Sequence, residues 1–128
     1  MQDITDTDFS EAIGRSVKIR KIYHQLEELN HGSRWSKQED MIGFANDVGE
    51  LGRMVMAGEG RWLYKGDLRK DLPDKLAECL WWVFVLSERL GIDLNPAFES
   101  KMTELEDDLL AGLNHAGDGN PGSTSHQD

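Results

Sequence analysis

The sequence predicts an all-α fold, a four-helix bundle that is completed by oligomerisation. Apolar residues recur at helical spacing in four segments of residues 1–113, and start and stop signals separate these segments. Links between the segments are short enough for a bundle. Around Trp81 and Trp82 the third segment is apolar on every side, so we expect it to be buried on every side, partly by another subunit.

The first two helices have recognisable boundaries. Polar side chains at positions 7 and 8 can cap the first helix, and the sequence NHGS at residues 30–33 stops it. Ser36 can cap the second helix with Glu39 three residues later, as in a capping box, and Gly58 can end it. The residues expected to face inward are Phe9, Ile13, Val17, Ile19, Tyr23, Leu26 and Leu29, then Met41, Phe44, Val48, Leu51 and Val55.

The second half of the chain contains two further helices. Residues 59–70 are predicted to form an ordered loop, after which Asp71 can cap a third helix with Pro73 in its first turn. Gly91 closes that helix, and a fourth follows the link at residues 92–96. Its expected inward residues are Phe98, Met102, Leu105, Leu109 and Leu110. Residues 114–128 lack apolar periodicity and are predicted to be a disordered tail, so the helical domain is placed at 1–113.

Composition excludes several classes of function. Twenty-four acidic residues against fourteen basic ones give a formal charge of -10, which disfavours binding to nucleic acid. The single cysteine, Cys79, lies in an apolar run, as expected for a small core residue in a reducing compartment. That run, residues 79–86, is too short to span a membrane, and the acidic N-terminus is unlike a secretory signal. A soluble, cytoplasmic protein is therefore expected.

Two pairs of acids are the candidate metal ligands. Asp47 and Glu50 are three residues apart on the second helix, and Asp74 and Glu78 are four apart on the third, so each pair shares a helix face. Carboxylates that meet in a partly apolar interior stay ionised when a cation neutralises them, and oxygen ligands favour Mg²⁺ or Mn²⁺. Two simpler interpretations remain open: the first pair faces water, or Glu78 pairs with Lys75 on its own helix.

Glycines at positions 43, 49 and 52 interrupt the second helix. Each costs about 1 kcal/mol relative to alanine in a helix interior. Their repetition indicates close approach of another helix or a ligand, or else a loosely formed helix.

The chain resembles the MazG-like all-α nucleoside triphosphate pyrophosphohydrolases. The resemblance covers roughly residues 9–110 and rests on WS at 35–36, FANDVGEL at 44–51, KLAECLW at 75–81 and LGIDL at 90–94. It implies a homodimer or homotetramer of short helices. It also implies that acids spaced Glu-x-x-Glu and Glu-x-x-Asp bind magnesium, which holds the triphosphate while water releases nucleoside monophosphate and pyrophosphate.

The family pattern transfers to this chain with one major departure. Asp47 and Glu50 match the first acid pair and Glu78 matches the last acid, which makes these three the expected metal ligands, with Glu50 and Glu78 the expected catalytic residues. Lys75 stands where the family has glutamate, and a protonated lysine cannot be a ligand. Asp74 is the possible substitute ligand.

Substrate contacts are expected from four residues. Lys101 matches a family lysine near the phosphates, although Leu105 replaces the asparagine that normally follows. Lys75 is also an expected substrate contact. Trp35 can stack on a base or act as a hydrophobic staple, and Trp82 can lie beside the substrate or pack in the core.

The expected function is a Mg²⁺-dependent nucleoside triphosphate pyrophosphohydrolase in nucleotide-pool control. The alternative is a weakened or inactive MazG-like helical dimer that binds nucleotide or a protein partner, with Lys75 neutralising the acids in place of metal.

Overall fold

The computed structural model describes residues 7–117, which form four helices and no strand. The helices are α1 (Ser10–His31), α2 (Lys37–Gly58), α3 (Leu68–Arg89) and α4 (Leu94–Gly117). The predicted all-α class with four helices is confirmed, while completion by oligomerisation stays a prediction. Within 7–117, no helix combines the length and apolar character needed to cross a membrane.

The described residues belong to two compact units. The first, residues 8–94, contains α1, α2 and α3, and α3 packs against both other helices. The second contains Thr7 and residues 95–117, which form almost all of α4. Inside the second unit the Thr7 hydroxyl donates a hydrogen bond to the Glu99 carboxylate.

Local capping explains where α2 begins. The Ser36 hydroxyl accepts a hydrogen bond from the Glu39 amide at 3.1 Å, and the Glu39 carboxylate accepts one from the Ser36 amide at 2.8 Å. This confirms the predicted capping box, which satisfies two backbone donors at the helix end. At the start of α1, Asp8 accepts a hydrogen bond from the Ser10 amide at 2.9 Å, although Phe9 occupies the N-cap position.

The helix α3 begins earlier than predicted. Its N-cap residue is Asp67, so Asp71 lies in the first turn and accepts a hydrogen bond from the Tyr64 hydroxyl at 2.5 Å. The amides of Lys70 and Asp71 donate hydrogen bonds to the Asp67 carbonyl, which makes an additional helical turn before Pro73. Leu68, the first residue of α3, lies near Gly58 at the end of α2, where an added Cβ would be 3.7 Å from its Cδ2.

The helix α4 begins earlier and ends later than predicted. It starts at Leu94 and continues to Gly117, beyond the expected boundary at residue 113. The rest of the predicted disordered tail, residues 118–128, lies outside the described residues.

The buried faces differ from those expected from apolar spacing. In α1 the buried residues are Ser16, Arg20 and His24, which recur every four positions. Large apolar side chains of α1 are exposed instead, and Leu76 and Leu80 of α3 are 60% and 52% exposed in the single chain, so burial of α3 on every side with the help of another subunit stays a prediction. In α4 no residue is buried, so its expected inward stripe is also exposed. The exposed members of these predicted sets are Ile19, Tyr23, Leu26, Leu29, Met41, Val48, Val55, Phe98, Met102, Leu105, Leu109 and Leu110.

A fully buried carboxylate joins the three helices of the first unit. Asp40 of α2 accepts hydrogen bonds from Arg20 of α1, at 2.6 Å from Nη2, and from Arg89 of α3, at 2.5 Å from Nη1. Arg20 also forms an ion pair with Glu27 at 2.9 Å. A buried charge needs such partners, because its desolvation is otherwise strongly unfavourable. The network therefore fixes which faces of α1 and α3 turn toward α2.

We predict that Asp40→Asn lowers the free energy of unfolding by about 3 kcal/mol, since it leaves the buried guanidinium of Arg20 and the partly buried one of Arg89 with a neutral partner. Urea unfolding followed by circular dichroism measures this change. Asp74→Asn is the matched control, because Asp74 is exposed and, within residues 7–117, forms an ion pair only with exposed Lys70, so it should have little effect. Equal effects of the two substitutions would contradict the structural role of Asp40.

Candidate functional site

Side chains from α2 and α3 form an acidic cluster around one lysine. Asp47 and Glu50 are three residues apart on α2, while Lys75 and Glu78 are three apart on α3, so each helix turns two charged groups to one side. Packing of α3 on α2 brings these groups together. We call Asp47, Glu50, Lys75 and Glu78 the Lys75 cluster.

The lysine ammonium lies at the centre of this cluster. Lys75 Nζ is 3.1 Å from Asp47 Oδ1, 3.3 Å from Glu50 Oε2 and 3.2 Å from Glu78 Oε1. Lys75 and Asp47 are largely buried, whereas Glu78 is more than half exposed. The three acids that were predicted to meet, Asp47, Glu50 and Glu78, therefore do converge. The cation between them belongs to the protein.

Hydrogen bonding keeps the lysine protonated. Burial alone would lower the pKa of Lys75, but its contacts with Asp47 and Glu78 outweigh that effect and raise the pKa above the ordinary 10.5. At neutral pH the cluster consequently holds a full positive charge against three carboxylates.

Trp82 connects the Lys75 cluster to the core. Its indole Nε1 donates a hydrogen bond to Asp47 Oδ2 at 2.7 Å, and the side chain is buried. The ring lies against Gly43 of α2, where an added Cβ would be only 2.8 Å from Trp82 Cζ2. Close approach of another helix, predicted from the glycines of α2, is thus confirmed at Gly43. At Gly49 and Gly52 an added Cβ would meet nothing closer than 3.9 Å.

The arrangement does not fit a divalent cation at the centre of the cluster. Mg²⁺ needs oxygen ligands at about 2.0–2.1 Å in a nearly octahedral arrangement. Here an ammonium occupies the point on which the three carboxylates converge, and both oxygens of Asp47 already accept from Lys75 and Trp82. A second cation beside Lys75 would be repelled by it. Across residues 7–117, no group of three or more His, Cys, Asp or Glu side chains is arranged to hold a metal ion.

The other predicted site residues lie elsewhere. Asp74 pairs with Lys70 at 2.7 Å, and both side chains are mostly exposed, so the structure does not bring Asp74 into the cluster. Lys101 lies on α4 in the second unit and pairs with Glu104 at 3.1 Å. Cys79 is buried, as expected for a core residue, and burial raises the pKa of its thiol.

Trp35 belongs to a contact between helices of the first unit. Its ring centroid is 5.6 Å from the guanidinium carbon of Arg20, and its carbonyl accepts a hydrogen bond from Arg89 at 3.1 Å. An added Cβ at Gly43 would be 3.1 Å from the Trp35 ring. These contacts give Trp35 a packing role and leave its predicted contact with a base untested.

A second charged cluster, which the sequence did not predict, is formed by Arg20, His24, Glu27, Asp40 and Arg89. Burial and the neighbouring Arg20 and Arg89 lower the pKa of His24. A signal for Asp40 was available, because it lies four residues before Phe44 on the apolar side of α2. A charged residue in an apolar stripe indicates a buried partner, although the sequence does not say which arginine provides it.

We predict that Lys75 makes stability fall at alkaline pH. Its raised folded-state pKa means that its contribution is fully present below the unfolded value of about 10.5 and is lost as the pH rises above that value. Urea unfolding from pH 8 to pH 11.5 should therefore show a steeper loss for the wild type than for Lys75→Met. Lys65→Met, at an exposed position, should follow the wild type. Parallel curves for Lys75→Met and the wild type would refute the prediction.

Comparisons of the chain with models of protein families, with curated proteins and with solved structures each find no match. The MazG-like resemblance stays a prediction that rests on the motifs themselves.

Proposed function

We propose that this chain is a MazG-like helical module that self-associates and has lost divalent-metal hydrolysis at the Lys75 cluster. The observation that carries the proposal is the position of Lys75 Nζ, within 3.3 Å of all three acids that would otherwise bind metal. An ammonium supplies the positive charge that these acids need, but it has no vacant coordination sites for phosphate and cannot activate water as a metal does.

Self-association is the second part of the proposal. One face of α2 and α3 forms an apolar groove lined by Phe44, Val48, Leu76, Leu80 and Val83. Leu76 and Leu80 are more than half exposed in the single chain, and exposed apolar patches typically mark interaction sites. A second copy of the chain, bound through the same patch, would bury this face symmetrically. The unburied apolar residues of α4 offer further surface for a dimer or tetramer.

The second candidate is the Mg²⁺-dependent nucleoside triphosphate pyrophosphohydrolase expected from the resemblance. Convergence of Asp47, Glu50 and Glu78 favours it, since three of the four family acid positions meet at one point. The two candidates differ in what Lys75 does: it takes the place of the metal in the first, and it has to leave room for Mg²⁺ beside the three acids in the second.

We predict that the wild type releases no pyrophosphate from canonical or modified nucleoside triphosphates with Mg²⁺ or Mn²⁺. Lys75→Glu restores a fourth carboxylate, so it should bind Mn²⁺ at least about tenfold more tightly than the wild type. Isothermal titration calorimetry measures binding, and a pyrophosphate-release assay measures activity. Lys70→Glu is the matched control, because it makes the same charge change at an exposed position of α3.

Pyrophosphate release by the wild type, abolished by Glu50→Ala, would instead establish the hydrolase. Equal Mn²⁺ affinity in Lys75→Glu and Lys70→Glu would show that the gain reflects net charge and that Lys75 has no special position.

We predict a homo-oligomer that Leu80→Glu weakens at least about tenfold, because a charge in an apolar interface is desolvated without a partner. Light scattering and analytical ultracentrifugation measure the mass and the dissociation constant. Ile42→Glu, an exposed apolar position of α2 outside the groove, is the control. A wild-type monomer, or equal weakening by the control, would exclude this interface.

A further inference from the structure

We infer that a cavity beside α1 and α3 binds a phosphate group, independently of the Lys75 cluster. The cavity has a volume of about 210 Å³ and lies within the first unit. Its polar lining consists of Arg20, Lys21, His24, Arg34, Glu88 and Arg89. The site therefore combines cations from α1, from α3 and from the link between α1 and α2.

The charges around this cavity distinguish it from the rest of the molecule. Four of the lining side chains are cationic and one is acidic, in a chain whose formal charge is -10. Three more acids lie next to the arginines: Asp40 pairs with Arg20 and Arg89, Glu27 with Arg20, and Glu28 with Arg34. The four cationic and four acidic side chains in and beside the cavity have a summed formal charge of zero. An anion can therefore enter here without the repulsion it meets over an acidic surface.

Donors remain for a ligand after these ion pairs are made. Both hydrogen bonds of Arg89, to Asp40 and to the Trp35 carbonyl, use Nη1, whereas a guanidinium has five N–H donors. Arg34 uses Nη2 for its exposed pair with Glu28. Lys21 forms no ion pair within residues 7–117. Planar guanidinium groups bind phosphate through paired hydrogen bonds, and an ammonium adds a point charge.

His24 provides the second, independent observation. Its side chain is nine-tenths buried, and among the described residues Nε2 is a buried nitrogen with no hydrogen-bond partner. Buried polar atoms normally have a partner, because an unmet one loses its hydration without compensation. His24 lines the cavity, so a phosphate oxygen bound there supplies a hydrogen-bond acceptor beside the imidazole.

The test uses the full chain and two probes, inorganic phosphate and ribose 5-phosphate. Calorimetry should give saturable binding at one site, and the imidazole NMR signals of His24, assigned with His24→Gln, should move on saturation. Tighter binding of inorganic phosphate would identify the free ion as the ligand, and tighter binding of the ester would identify a phosphorylated metabolite. Either result supports the cavity as a phosphate site.

Lys21→Gln and Arg34→Gln should each weaken binding at least about fivefold, because each removes a charged donor. Both positions are exposed, and circular dichroism checks that the fold is kept. Lys18→Gln makes the same charge change on α1 outside the cavity and should leave affinity unchanged. The inference is overturned by the absence of saturable binding at millimolar phosphate. It is also overturned by equal weakening in all three variants, which would indicate a general effect of surface charge.

Discussion

The carboxylate of Asp40 is the constraint on which the three-helix unit depends. It is fully buried on α2 and receives one arginine from α1 and another from α3. Few apolar side chains are buried alongside it, so apolar burial alone leaves the rotation of the helices weakly specified. Removing either arginine leaves an uncompensated buried charge, so alternative helix arrangements that separate these groups are strongly disfavoured. The network thereby selects one arrangement of the helices.

The same constraint positions the Lys75 cluster. Lys75, Trp82 and Arg89 are seven residues apart on α3, and Asp40 and Asp47 are seven apart on α2, so each set follows one side of its helix. The helices α2 and α3 run antiparallel where these two sides are in contact. Arg89 forms an ion pair with Asp40, and Trp82 and Lys75 donate hydrogen bonds to Asp47. Because Arg89 is paired with Asp40, the register of α3 against α2 is set, and this register places Lys75 beside Asp47 and Glu50. Trp82 lies between the two ends, with the Arg20 guanidinium carbon 5.6 Å from its ring centroid.

Features that depend on neighbours in sequence could be predicted, and those that depend on partners across helices could not. The Ser36 capping box and the shared face of Asp47 and Glu50 follow from spacing along one helix. Apolar spacing placed Leu29 on the inward face of α1, yet Leu29 is exposed while Arg20 is buried. Apolar periodicity identifies a helix face that can be buried. In the single chain, the ion pair of Arg20 with Asp40 buries a different face of α1. The identity of Lys75 was visible in the sequence, whereas its contacts with Asp47 and Glu50 required the packing of α3 on α2.

The Lys75 cluster differs from a metal centre because its cation, the Lys75 ammonium, is covalently part of the chain. A bound divalent ion exchanges with solvent, so its site loses charge compensation when the free ion is scarce. Lys75 cannot dissociate, and its pKa is raised, so the acids keep their partner at every physiological ion concentration and pH. That permanence suits a scaffold, because the α2–α3 contact then needs no cofactor to form. The function proposed for the chain accordingly assigns this cluster no phosphoryl chemistry, in which the ion must bind the substrate as well as the protein. The chemistry of one side chain thus links the stability of this fold to the function proposed for it.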